Sequence, residues 1–295
     1  MSRAHEHHVL PANGPDIAYH VTGDAHGRPL VLLHGLSANS TSWTPVIERT
    51  AAQWRAHALD FRGHGRSDRT PGRYRLADYV DDAERLLELI GEPAVVIGHS
   101  LGAIVAAALA QDRHPLVAAV FLEDPPLYVV APQVFCDTGL ARGFGVLLDH
   151  IERLQADQAA VGTYRDLLAA SPHPGGGRLG DHRHADALGS RAAGLMHVDP
   201  AAIRAVLDGT TFVAFDPDRP LHRPAVIVRA DPAYDAAFRP ADERRLHQTS
   251  PDVAVIPMPG AGHNIRGDRA ARHHYLNALS DFLTRQAPTT MEIRS

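Results

Sequence analysis

The chain has 295 residues, a formal net charge of −5 and a single cysteine. That length lets one α/β domain bury roughly three quarters of its unfolded surface without a disulfide or metal staple, and Cys136 cannot pair within the chain, which fits a reducing compartment. The small charge has no block of one sign and speaks against a nucleic-acid or membrane-surface partner; residues 1–20 lack a signal peptide's apolar core and no run approaches the ~18 apolar residues of a membrane span, so a cytoplasmic location is expected.

All 29 basic residues are arginine. Without lysine there is no Schiff-base chemistry. The twenty histidines include the clusters His5/His7/His8, His182/His184 and His273/His274, but none places two histidines four apart on a helix beside a glutamate, as a metalloprotease helix requires. No metal and no cofactor is expected.

In chain order, apolar runs bounded by turn residues predict strands at His7–Leu10, Ile17–Thr22, Leu30–His34, Arg55–Asp60, Ala94–Gly98, Val117–Glu123, Ala225–Ala230 and Val253–Pro257. Helical periodicity covers Trp43–Gln53, Leu76–Ile90, Leu101–Asp112, Ala241–Gln248 and Arg269–Gln286. Strands separated by helices of this length imply right-handed crossovers, hence an α/β fold with a mostly parallel eight-stranded sheet and helices on both faces. The first two strands read as an antiparallel hairpin with Asn13-Gly14-Pro15 near its turn. About a hundred residues separate Val117–Glu123 from Ala225–Ala230, far more than one crossover needs. This stretch holds helical segments at Leu147–Ala160 and Ala201–Leu207, a break at Ser171–Gly177, and the large apolar residues Phe135, Phe144, Tyr164, Met196, Phe212 and Phe215. It is expected to form a helical cap over residues 125–220, with residues 1–124 and 221–295 as the core. Leaving the sheet at the carboxyl end of a strand, it should lie over the crevice where such sheets bind ligands.

The most informative motif is Gly98-His99-Ser100-Leu101-Gly102, set between the apolar strand Ala94–Ile97 and the helical run from Ile104. A serine at the apex of such a turn is held above the sheet in a strained backbone, and a Cβ at either glycine would collide with the crossing elements. The Leu101 N–H, at the start of a helix, points into the same space and favours negative charge there. Further turns follow other strands: His34-Gly35-Leu36-Ser37, Phe61–Ser67, and Pro259–Asn264.

In their order and spacing these motifs, from about Val21 to about Phe282, make the chain resemble the α/β-hydrolase superfamily. The resemblance implies a nucleophile at Ser100, a base at His263 and an oxyanion hole from the backbone N–H groups of Leu36 and Leu101. A base must be neutral to accept a proton, so activity should rise with pH. Serine at position 100 sets the chain apart from haloalkane dehalogenases and epoxide hydrolases, which place an aspartate there. His34 and His99 are expected to be turn and packing residues, and Asp60 and Arg62 to brace the oxyanion turn. The commonest family position for the triad acid, three residues past a strand-end glycine, is occupied here by Ala233, with Asp231 two residues early and Asp235 two late. Some relatives carry the acid after the strand that follows the nucleophile helix. That position is Asp124, the preferred candidate, Asp231 being the alternative. Glu123 should face the opposite side of the strand.

The expected reaction is hydrolysis of an ester or lactone of an apolar small molecule, because the cap is apolar and no pair of anion-binding arginines stands out. The layout is similar to that of lactonases acting on resorcylic macrolides such as zearalenone. A carbon–carbon bond hydrolase acting on a diketone and a ligand receptor without turnover are the alternatives, and a homo-oligomer is left open.

Overall fold

The computed structural model describes residues 6–11, 14–130 and 139–286. His5, Asn13, Phe135 and Cys136 lie outside them. Eight strands form one sheet: β1 (Glu6–Val9), β2 (Ala18–Gly23), β3 (Arg28–Leu33), β4 (Trp54–Leu59), β5 (Ala94–His99), β6 (Val117–Glu123), β7 (Ala225–Arg229) and β8 (Ala254–Pro257), in the order β1-β2-β4-β3-β5-β6-β7-β8. β1–β2 and β2–β4 are antiparallel; every other pairing is parallel. All eight predicted strands are therefore present, the first two as the expected antiparallel pair.

The central strands read as continuous apolar runs because both faces are covered. Successive side chains alternate between two cores: Val31, Leu33, Val96, Val120 and Leu122 face one, while Leu30, Leu32, Val95, Ile97, Ala119 and Phe121 face the other. The first is covered by α2 (Leu76–Ile90) and α3 (Leu101–Gln111), the second by α1 (Thr44–Thr50) and the C-terminal α10 (Arg272–Gln286), which contributes Tyr275, Leu279 and Phe282. Every residue of α3 is buried, as suits a helix apolar on all sides.

Between β6 and β7 the described chain forms α4 (Gly139–Ala156), α5 (Val161–Ala170), α6 (Leu179–His182), α7 (Ala185–His197) and α8 (Pro200–Leu207); α9 (Pro240–Leu246) lies between β7 and β8. Three of these helices, α5 to α7, were not predicted, and α4 begins eight residues before the predicted Leu147. The Gly139–Gly145 stretch has low intrinsic helicity, and tertiary packing overrides it. The predicted helix over Trp43–Gln53 is split into a 3-10 turn at Ser40–Trp43, capped by the Asn39 side chain on Thr41 N–H, and the shorter α1. Among the described residues no helix is long and apolar enough to cross a membrane.

Candidate active site

Ser100 occupies the turn from β5 to α3 with φ 52° and ψ −114°. Such a conformation costs on the order of 1–3 kcal/mol and persists only where the surroundings enforce it. Here they do. Ser100 N–H donates to the Glu123 carbonyl (3.2 Å) and Gly102 N–H to the His34 carbonyl (3.1 Å). A Cβ on Gly98 would stand 2.3 Å from the Gly102 carbonyl oxygen, and one on Gly102 would stand 2.1 Å from that of Leu33. The two glycines are thus required by contact, as the motif predicts.

His263 lies in the loop after β8. Its Nδ1 donates to Asp124 Oδ2 (2.7 Å), a carboxylate that can only accept, which leaves Nε2 to accept from the Ser100 hydroxyl (2.9 Å). Asp124 follows β6 directly with φ 41° and is fully buried. Besides His263 it takes three backbone N–H bonds, from Ala230 (3.1 Å) and Phe238 (3.2 Å) on Oδ1 and from Ala237 (2.8 Å) on Oδ2.

The rival carboxylates sit elsewhere. Asp231 caps a 3-10 turn, accepting from the N–H groups of Ala233 (2.9 Å) and Gly260 (2.8 Å); these two bonds, Gly260's first, hold its pKa below the usual carboxylate value. Asp235 is exposed. Glu123 turns to the other side, pairing with Arg266.

The N–H groups of Leu36 and Leu101 donate to no acceptor among the described residues. Leu101 is the first residue of α3, where an amide has no intrahelical partner. The turn carrying Leu36 is held by Asp60, whose Oδ1 accepts from Ser40 N–H (2.7 Å), and by His64, whose Nε2 accepts from Ser37 N–H (3.1 Å). The Arg62 side chain does not join this network. It runs the other way, to Asp78, Asp81 and Asp82 of α2, with Nη2 2.6 Å from Asp82 Oδ1. His64 takes the bracing role expected of Arg62.

His34 and His99 make backbone contacts. His34 Nε2 accepts from Phe61 N–H (3.1 Å), and His99 Nε2 donates to the His263 carbonyl (3.1 Å), tying the loop that carries His263 to the serine turn. Burial, first among the causes in each case, lowers the pKa to about 4 for His34 and His57 and to about 3 for His64, and well below the usual value for His99. The folded pKa lies below the unfolded one, so under pH ~6.5 the unfolded chain binds protons that the folded chain refuses. Each such histidine removes on the order of 1.4 kcal/mol of stability per pH unit until its folded pKa is reached. The thermal midpoint should therefore fall steeply as pH drops from about 6.5 to about 4.5. A midpoint that is level over that range would mean these rings are protonated in the fold.

A cavity of about 230 Å³ opens over Ser100 and His263, lined on its apolar side by Leu36, Phe144, Leu168, Leu179 and Leu188. A smaller one of about 30 Å³ adjoins it, where Phe144 and Phe212 meet Leu101 and Val130. Of the large residues singled out in the sequence, Phe144 and Phe212 line these spaces, whereas Tyr164 is buried at 1% exposure and Met196 and Phe215 pack against the core. The sequence offered no obvious pair of anion-binding arginines, yet three arginines, Arg183, Arg191 and Arg266, line the larger cavity. One signal was available. In α7, Leu188, Arg191, Ala192 and Leu195 follow helical spacing along one face, so an arginine sits on an otherwise inward apolar stripe.

Residues 30–272 match the alpha/beta hydrolase family. The chain is 26% identical over 284 residues to the 2-(acetamidomethylene)succinate hydrolase of Mesorhizobium japonicum, covering 92% of this chain and 91% of that protein. It is 28% identical over 180 residues to a serine hydrolase-like protein of Danio rerio, a match spanning 59% of this chain and 55% of that protein, about half its length. Among solved structures, that of an E-2-(acetamidomethylene)succinate hydrolase superposes with a TM-score of 0.72 at 22% identity, over 95% of this chain and 100% of that one.

Proposed function

The chain belongs to the alpha/beta hydrolase family, and on that premise we propose that it is a serine hydrolase cleaving an ester or lactone of a small molecule through an acyl-enzyme. Ser100 is the nucleophile, His263 the general base and Asp124 the triad acid; the N–H groups of Leu36 and Leu101 form the oxyanion hole. The observation that carries the reading is the His263 ring, hydrogen-bonded at one nitrogen to a buried carboxylate and at the other to a serine hydroxyl.

In this reading Ser100 Oγ attacks the carbonyl carbon while its proton passes to His263 Nε2, and the carbonyl oxygen takes the negative charge. Collapse of the tetrahedral intermediate expels the alcohol, which leaves with the proton held by His263. Water then repeats the sequence on the acyl-enzyme and releases the acid. Each oxyanion donor contributes roughly 3 kcal/mol of barrier lowering, so the bracing of the Leu36 turn by Asp60 and His64 belongs to the machinery.

The helices of residues 125–220 act as a cap over the site, and their apolar residues hold the body of the substrate. Phe144 lines both cavities. Phe144→Ala should lower kcat/KM for a bulky aromatic ester by about tenfold or more while changing that for an acetate ester little, since burying a half-exposed ring against the substrate is worth up to ~1.5–3 kcal/mol. Equal losses on both esters would make Phe144 a packing residue only.

A carbon–carbon bond hydrolase acting on a diketone would use the same three side chains, and product analysis separates the two: an acid with an alcohol, or an acid with a ketone. A ligand receptor would be stabilised by its ligand without turnover. The direct test of the proposal is a fluorophosphonate, which should label the wild-type chain at Ser100 and leave Ser100→Ala unlabelled. An unlabelled wild type, or label on the alanine variant, would refute it.

A further inference from the structure

The three guanidinium groups on the cavity wall are not equally neutralised. Arg266 pairs with the buried Glu123 carboxylate, donates to the Ser42 carbonyl and hydroxyl (3.1 Å each), and lies 3.9 Å from the centre of the Trp43 ring. Arg183 pairs with Asp268 at 3.7 Å and donates to the Asn264 carbonyl, in the loop that carries His263. Arg191, on α7, makes one hydrogen bond, from Nη1 to the Leu36 carbonyl (2.9 Å), and has no carboxylate partner among the described residues.

A guanidinium has five N–H donors. One of Arg191's is used. The residue is half-buried on the cavity wall, and desolvation by burial first, with the like charge of Arg183 second, pushes its pKa down to about 10. A cation so placed is costly unless an anion answers it. Of the three arginines on the cavity wall, Arg183 and Arg266 are answered by Asp268 and Glu123, whereas Arg191 is not; the Asp124 carboxylate lies behind the His263 ring, engaged by that ring and three backbone N–H groups. His99 is held neutral by burial, and the remaining wall is apolar apart from uncharged groups such as Ser42, Ser190 and Asn264.

We propose that the cavity takes a substrate with one carboxylate set apart from the scissile carbonyl, and that Arg191 binds it through its free N–H groups, so that the enzyme is selective for half-esters of dicarboxylic acids or comparable lactone acids. A planar guanidinium with two unused parallel donors matches a carboxylate in shape as well as in charge. The apolar lining from Leu36, Phe144, Leu168 and Leu188 then holds the methylene body between Ser100 and Arg191. This rests on the serine hydrolase reading of the site. Because Arg191 also holds the Leu36 carbonyl, it could serve only to position the oxyanion turn, and that role must be separated from carboxylate binding.

The separation uses paired substrates on the full chain: 4-nitrophenyl hexanoate against the mono-4-nitrophenyl ester of adipic acid, and the heptanoate against the pimelic acid monoester, in which a carboxylate replaces the terminal methyl. The wild type should prefer the acid of a pair in kcat/KM. Arg191→Met should cut that preference by about 30-fold or more, chiefly through KM, because truncating one partner of a buried charge pair has effects of that size. Arg191→Lys should recover part of it. Damage to the oxyanion turn falls on both members of a pair and cancels in the ratio. A wild type that prefers the neutral esters, or a ratio unchanged in Arg191→Met, would overturn the proposal while Ser100-dependent turnover of the neutral ester leaves the hydrolase reading standing. If neither ester is turned over in a Ser100-dependent way, the hydrolase reading fails and the proposal with it.

Discussion

Ser100→Ala is expected to lower kcat for an activated ester by at least ~10⁴-fold, and toward ~10⁶ where chemistry is fully rate-limiting, because loss of the nucleophile leaves only binding and the oxyanion donors. Stability should change by under ~1 kcal/mol. The hydroxyl fills no core cavity, since the residue lines the open cavity and its Oγ is bonded only to His263 among the described residues. The backbone strain at φ 52° is unaltered, because alanine keeps the Cβ that makes the conformation costly. Activity and melting temperature are therefore expected to part company. A variant that melts with the wild type and keeps even a hundredth of its kcat would place the nucleophile elsewhere.

The eight strands could be read from the sequence because each is a short apolar run between turn residues, and in a sheet covered on both faces such runs have few other uses. The helices between β6 and β7 were harder. α7 carries its buried Ala192 and Leu195 among glycine, serine and an arginine, and its helicity comes from packing against α5, α4 and the turn at Ser40–Trp43 rather than from a strong apolar stripe. Its boundaries depend on partners distant in the chain, such as the Gly267 carbonyl that accepts from His184 N–H.

For the site, the serine turn was legible because its chemistry is local: glycine spacing, a preceding strand and a following helix all lie within a dozen residues. The bracing of the Leu36 turn was legible only in part. Asp60 and Arg62 occupy the same loop, and nothing local indicates that one reaches back to Ser40 while the other turns to α2. Arg191 was missed for a related reason. An arginine on a helix is ordinarily solvated, and its lack of an anion emerges only once Asp268 and Glu123 are seen to be engaged by other arginines.

Asp124→Asn is expected to cost at least ~100-fold in kcat and up to ~10⁴, the loss seen when a triad aspartate becomes asparagine and the histidine is left in the wrong tautomer. The surroundings of Asp124 explain why asparagine cannot substitute. Four donors converge on the carboxylate: Ala230 and Phe238 N–H on Oδ1, Ala237 N–H and His263 Nδ1–H on Oδ2. With its amide nitrogen toward His263, asparagine faces the Ala237 N–H donor to donor and turns the imidazole so that Nε2 carries the hydrogen and can no longer accept from Ser100. With the amide nitrogen the other way it meets the N–H groups of Ala230 and Phe238. Either orientation leaves a buried donor unsatisfied, a penalty of ~1–3 kcal/mol, so a lower melting temperature should accompany the lost activity. Asp231→Asn removes only part of a turn cap, and Asp235→Asn changes an exposed residue at φ 60°, a conformation asparagine tolerates; both should keep kcat within about threefold of wild type. The decisive comparison is kcat of the three variants at a temperature where each is folded. An Asp124→Asn enzyme within tenfold of wild type, or a larger loss in Asp231→Asn, would take the triad acid away from the end of β6 and assign it to the loop after β7.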